Sequence, residues 1–143
     1  MRIADLLRNK GAEVATVQPE ASVRELLDGL AERNIGAMVV VGSAGAIAGI
    51  VSERDVVRRL HEHGPDVLDF TVAEIMTSVV ATCGMESSVN ELSELMTENR
   101  VRHIPVVVDG RLAGIVSIGD VVKHRLEELK TEQEQLQAYI NQG

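Results

Sequence analysis

Aromatic side chains are nearly missing from this chain: Phe70 and Tyr139 stand alone, with no tryptophan. Single-stranded nucleic acids are held by stacking on aromatic rings, so that class of partner is disfavoured. Basic charge is also scarce. Lysine and arginine number 14 against 22 acids, a formal net charge of −8, which opposes general binding to phosphate backbones or anionic membranes. Cys83 is the one cysteine, which excludes a disulfide framework and a cysteine zinc site. No stretch has the makeup of a secretory leader or a membrane span. The expectation is a cytoplasmic protein that binds neither nucleic acid nor membrane. What the chain does have is aliphatic bulk. Of its 143 residues 45% are hydrophobic, enough for burial to offset the entropy of ordering.

The informative pattern is internal repetition. Val14-Ala15-Thr16 recurs as Val80-Ala81-Thr82, Ser22-Val23 as Ser88-Val89, Glu25-Leu26 as Glu91-Leu92, and Val40-Val41 as Val106-Val107, all at a shift of 66. One residue is lost in a Gly-rich turn. At a shift of 65, Gly49-Ile50-Val51-Ser52 then recurs as Gly114-Ile115-Val116-Ser117, and Asp55-Val56-Val57 as Asp120-Val121-Val122. Two matching runs at nearly one shift mean a duplicated unit.

Each unit reads as strand, helix, strand, turn, strand, helix. Val14 to Val17 is a short strand. Ser22 with Glu25, and Ser88 with Glu91, have the capping-box spacing of a helix start. Val23, Leu26, Leu27 and Leu30 then line one helix face, as Val89, Leu92 and Met96 do in the second copy. The runs 38–41 and 47–51, and 104–108 and 112–116, are buried hairpins around glycine turns. Further helices are expected over 54–63 and from Gly119 to about Tyr139. Segments 3–7 and 72–76 are matching lead-ins. The domains are thus 1–63 and 72–126, with a connector at 64–71 that holds Gly64 and Pro65, and a helical extension at 127–143. One such unit buries too little surface to be comfortable alone. The predicted fold is α+β: two βαββα repeats with small mixed sheets, packed about a pseudo-twofold axis with related clefts at the seam.

The phrase Gly49-Ile-Val-Ser52-Glu-Arg54-Asp55 recurs as Gly114-Ile-Val-Ser117-Ile-Gly119-Asp120, each where a strand gives way to a helix. Ser-x-x-Asp is an ordinary helix cap with an acid in the first turn. It also suits a ribose diol at the Asp and a phosphate at the Ser hydroxyl and free helix N–H groups. Both readings can hold at once, because a cap that faces a cleft is also a site.

This repeated Gly-h-x-Ser-x-x-Asp after a hairpin, where h is apolar, resembles the CBS domain, and two copies in series resemble the paired Bateman module. Met76-Thr77 and Arg102-His103-Ile104-Pro105-Val106 are similar to bacterial members. The resemblance spans residues 1 to 126. It implies a stand-alone, non-catalytic regulatory sensor without a catalytic cofactor, whose ligand is an adenosyl compound: AMP, ADP or ATP, in some members NAD or S-adenosylmethionine. Asp55 or Asp120 would hold the ribose, with Ser52 or Ser117 beside it. The adenine would lie on the opposite copy, against Val80 and Ala81 for Asp55 and against Val14 and Ala15 for Asp120. Arg102 and His103 would face the phosphates in the Asp55 cleft, joined by Arg54. The Asp120 cleft has Gly36, Ala37 and Gly119 at the matching places. The first cleft is therefore expected to hold the nucleotide and the second to be the weaker site. Near its ordinary value of about 6.5, His103 would gain charge as pH falls. The rival reading is a scaffold or interaction subunit with empty, vestigial clefts.

Other candidates carry less. His61, His63, His103 and His124 lack metal-ligand spacing, and Ser52 and Ser117 have no base at motif spacing, so no catalytic residue or metal site is expected. Cys83 has no neighbouring cation and reads as structural. Arg100, Arg102 and His103 could also merely solvate a loop. Val122, Leu126, Leu129, Gln133, Leu136 and Ile140 form a short heptad seam. It folds back on its own domain or pairs with a second subunit, and a homodimer is the simpler expectation, with an effector protein as the output.

Overall fold

Each of the two hairpins sits in a small hydrophobic core of its own. The computed structural model describes residues 1–11, 13–79 and 81–142. In chain order the elements are α1 (Ile3–Lys10), β1 (Thr16–Val17), α2 (Val23–Arg33), β2 (Ala37–Val41), β3 (Ile47–Ser52) and α3 (Glu53–His63). A 3-10 turn (Gly64–Asp69) leads to α4 (Val72–Ile75), α5 (Val89–Asn99), β4 (His103–Val108), β5 (Arg111–Ser117) and α6 (Ile118–Gln142). The expected α+β architecture of two repeats is what forms.

The local signals act where the residues place them. Ser22 Oγ accepts from the Glu25 amide (3.2 Å), and Ser88 Oγ accepts from that of Glu91 (3.1 Å). Such a cap satisfies one of the orphan donors of the first helical turn. The helices close on left-handed residues, Asn34 (φ 52) and Arg100 (φ 54). β2 and β3 pair antiparallel, as do β4 and β5, and each hairpin slips register at the same point, Val40/Val41 and Val106/Val107.

The repeats part company at their first strands. β1 lies parallel to β2, with Val17 opposite Val40. It is shorter than the expected 14–17 strand. In the second copy the equivalent contact is a single parallel bridge, Cys83 to Val106, so that sheet has two strands against three in the first. Cys83 is buried, and burial pushes its thiol up to about 11; a protonated thiol in an apolar core is structural.

The lead-in segments are exchanged. Ile3, Leu6 and Leu7 of α1 pack with Val89, Leu92, Ile104 and Val116 of the second repeat. Val72 and Ile75 of α4 pack with Val23, Leu26, Val40 and Val51 of the first. Backbone bonds tie the exchange at matching places: Ile3 N donates to Ser87 O (2.9 Å) and Val72 N to Ala21 O (2.8 Å). Glycine permits the close approach that follows. A Cβ on Gly49 would meet Thr77 O at 2.7 Å, and one on Gly114 would meet Leu7 Cδ1 at 2.8 Å.

Candidate functional site

α3 starts at the cleft because its cap is built from the end of β3. The Ser52 amide and hydroxyl donate to Asp55 Oδ2 (2.8 and 3.1 Å), and Ser52 Oγ accepts from the Asp55 amide (3.4 Å). The other carboxylate oxygen faces the cleft, where Thr77 Oγ1 donates to Asp55 Oδ1 (3.0 Å). Thr77 is held there by backbone bonds in both directions with Ile50, each 2.9 Å. An ionised carboxylate offers about four lone pairs. The cap uses those of Oδ2, so Oδ1 keeps one free and holds a second hydroxyl that a diol could replace.

Around this acid lies an open cavity of about 550 Å³, lined by Ser52, Arg54, Asp55, Ala81, Arg102 and His103 together with Glu53, Arg58, Thr77, Val79 and Arg100. Six of the residues expected from sequence to form the first cleft therefore converge in one space. The seventh, Val80, lies outside the described residues. Arg58, one helical turn beyond Arg54, was not expected in the site, although its i,i+4 spacing was legible. Thr77 was visible only as part of the Met76-Thr77 phrase. Nothing local marks a contact that spans the 22 positions from Asp55.

The second cleft is different. Ser117 and Asp120 repeat the cap, with bonds from the Ser117 amide and hydroxyl to Asp120 Oδ2 of 2.9 and 3.0 Å. Asp55 meets a hydroxyl at Oδ1, whereas Asp120 meets an ammonium at Oδ2, the oxygen its cap already uses. Lys10, at the end of the exchanged α1, places Nζ 2.5 Å from Asp120 Oδ2 and 2.7 Å from Ile115 O. Both side chains are partly shielded from solvent, 31% and 22% exposed. Burial alone would raise the Asp120 carboxyl, but the Lys10 and Ser117 donors outweigh it and hold the group below its ordinary value. Val14 lines a separate groove beside the hairpin tips, with Gly45 and Gly110. Ala15 is half-buried, and its carbonyl accepts from the Val39 amide (3.2 Å).

His103 opens β4 opposite Ser117. Burial, the Lys10 ammonium and Arg102 lower its pKa from the ordinary 6.5, against the pull of Asp120. The expected gain of charge around pH 6.5 is thus moved to lower pH in the free protein. At neutral pH the ring is a neutral donor and acceptor, and the fixed positive charge of the cleft belongs to the arginines.

Two copies of the CBS domain model match the chain, at residues 3–62 and 72–127. The chain belongs to the CBS-domain family. As a tandem CBS protein it is 36% identical, over 99% of its length and 72% of the relative's, to the mitochondrial CBS domain-containing protein CBSX3 of Arabidopsis thaliana. The CBS-domain protein ATU1752 of Agrobacterium tumefaciens has a similar crystal structure, with 44% identity, a TM-score of 0.83, and coverage of 87% of this chain and 92% of that one. A CBS domain protein of Pyrobaculum aerophilum, solved in complex with AMP, aligns at 28% identity and a TM-score of 0.75, over 84% of this chain and 89% of its own. No helix of this CBS protein, among the described residues, is long and apolar enough to cross a membrane.

Proposed function

We propose that this tandem CBS protein is a non-catalytic regulatory sensor that binds one adenine nucleotide in the Asp55 cleft. The carrying observation is a single cavity that joins a half-buried carboxylate, with an oxygen turned toward the cleft, to four arginines. That pairing suits a ribose diol at one end and phosphate at the other. Ala81 and Val79 supply the apolar wall for the adenine. The AMP complex of the Pyrobaculum aerophilum relative supports the same ligand class. The Asp120 cleft is the weaker site, because Lys10 already occupies its acid. In this reading the output passes through a partner protein, and a reducing compartment suits the free thiol of Cys83. The cytoplasm meets that condition, and the mitochondrion of the Arabidopsis thaliana relative is the competing location.

A ligand that binds only the folded state stabilises it by about 2.7 kcal/mol at a hundredfold excess over its dissociation constant. AMP, ADP or ATP should therefore raise the melting temperature by several degrees, at a calorimetric stoichiometry of one per chain. A 2′,3′-dideoxy analogue should do so much less. S-adenosylmethionine should also shift it little, because its sulfonium would face Arg54, Arg58, Arg100 and Arg102. Equal shifts from the nucleotide and its dideoxy analogue would sink the ribose assignment. No shift from any of them would favour a scaffold with vestigial clefts.

We further propose that α6 pairs two copies. Leu126, Leu136, Tyr139 and Ile140 are each more than 60% exposed on a helix that runs straight to Gln142 rather than folding back. Truncation after Glu128 should lower the mass seen by light scattering, or make the dimer dissociate on dilution. An unchanged dimer would assign assembly to the module faces instead.

A further inference from the structure

The basic groups of this acidic chain are not spread evenly. Arg2, Arg8, Arg24, Arg59 and Arg125 are each paired with a carboxylate. Arg33 and Arg111, outside the Asp55 cleft, have no such partner among the described residues; nor do Arg54, Arg58, Arg100 and Arg102, and these four line that cleft together. The acids facing them there are Glu53 and Asp55, and Asp55 is already committed to the cap and to Thr77. Four guanidinium groups against two carboxylates leave the cleft positive, and an anion from outside offsets their mutual repulsion.

The duplication supplies an internal control. By the repeat shifts, Arg54, Arg58, Arg100, Arg102 and His103 correspond to Gly119, Lys123, Asn34, Gly36 and Ala37. The backbone is the same at the clearest of these places: Arg100 and Asn34 both end their helices in the left-handed region, at φ 54 and 52. The arginine there is thus not needed to close the helix, because asparagine does so in the first copy. The charge, not the turn, distinguishes that position.

One phosphate has too few oxygens to meet all four guanidinium groups. A phosphomonoester carries about −1.5 to −2 at neutral pH and three terminal oxygens, and one or two bidentate guanidinium groups already saturate it. Arg54 and Arg102, flanking the cap and the β4 entry, suffice for that. Arg58 stands a further four residues along α3, about 6 Å on along the axis, and Arg100 comes from another element. We infer that this cleft reads phosphate number, preferring di- and triphosphates to monophosphates, and that Arg58 and Arg100 are the residues that meet the phosphates beyond the first. The inference rests on the proposed nucleotide site at Asp55.

The experiment is calorimetry of the full chain with AMP, ADP and ATP in a magnesium-free buffer, on wild type and on Arg58→Gln, Arg100→Asn and the double variant. Both positions are exposed, and Asn is the first repeat's own residue, so melting temperatures should stay near wild type. Wild type should bind ATP at least tenfold more tightly than AMP, with a steeper loss of ATP affinity as salt rises. The double variant should lose tenfold or more for ATP and less than threefold for AMP. AMP binding as tightly as ATP in wild type would overturn this inference while leaving the nucleotide site intact. Equal losses for AMP and ATP in the variants would overturn the roles given to Arg58 and Arg100. If none of the three nucleotides binds, the Asp55 site itself is wrong, and the selectivity falls with it.

Discussion

Asp55→Ala is expected to weaken adenine-nucleotide binding by about a hundredfold, while Asp120→Ala leaves it near the wild-type value. The reason is the charge each acid keeps for a ligand. Asp55 has one oxygen turned to the cleft, bonded there among the described residues to Thr77 alone, so a ribose diol can replace that hydroxyl and fill the remaining lone pair. Hydrogen bonds to a charged group contribute about 1.5–3 kcal/mol each, and two at the low end give about 3 kcal/mol, or two powers of ten. Lys10 pairs with the cap oxygen of Asp120, Oδ2, at 2.5 Å and neutralises the carboxylate, so its other oxygen is a weaker acceptor for a diol than that of Asp55. Each acid also closes its helix cap, so each alanine variant should lose about 1 kcal/mol of stability by that route. The two variants are therefore each other's control for unfolding, and calorimetry well below both melting points separates binding from stability. Arg102→Ala should join Asp55→Ala with a loss of tenfold or more. If Asp120→Ala is the variant that abolishes binding, the asymmetry drawn from Lys10 and the arginines is wrong.

Gly49→Ala is expected to destabilise the protein by about 2–3 kcal/mol and to impair the cleft as well. The added methyl would sit 2.7 Å from the carbonyl oxygen of Thr77 and 3.0 Å from Met76 Sδ. A flexible sulfur can yield, but the carbonyl is fixed by its bond to the Ile50 amide (2.9 Å). Overpacking of this kind costs about 1–3 kcal/mol, and relief requires the strand to part from Thr77. That movement takes the Thr77 hydroxyl off Asp55, so a loss of nucleotide affinity should accompany the loss in urea midpoint. Gly114→Ala is the instructive comparison. Its methyl would meet Leu7 side-chain carbons at 2.8 and 3.0 Å, and a leucine can turn. The cost should be smaller and should loosen α1, which carries Lys10, rather than the Asp55 cleft. Wild-type stability in Gly49→Ala would contradict the close approach of β3 to Thr77.

The sequence by itself determined the features that repeat at short range. Ser-x-x-Asp at two strand ends, Ser-x-x-Glu at two helix starts and the aliphatic periodicities between them are local devices, and each acts where its spacing places it. They were enough to establish the duplication and the order of elements, and the family resemblance they carry implied six of the residues that converge around Asp55. The unequal charge of the two clefts was also legible, because Arg102-His103 and Gly36-Ala37 occupy the same place in the repeat. Tertiary structure decided which elements meet. A periodic apolar face specifies that something must cover it, not what does. Hence nothing in Ile3, Leu6 and Leu7 announced that α1 would pack into the second repeat's core. Lys10 reaches Asp120 across 110 positions, and Thr77 reaches Asp55 through an edge bridge to Ile50; neither contact leaves a local pattern. The same holds for His103, whose lowered pKa depends first on burial and then on Lys10. The first strand of the second repeat shrank to one bridge at Cys83, which stands where the first copy has Val17. A two-residue edge pairing is weak enough for its surroundings to decide whether it forms, because strand propensity reports fit to a packed surface rather than a backbone preference.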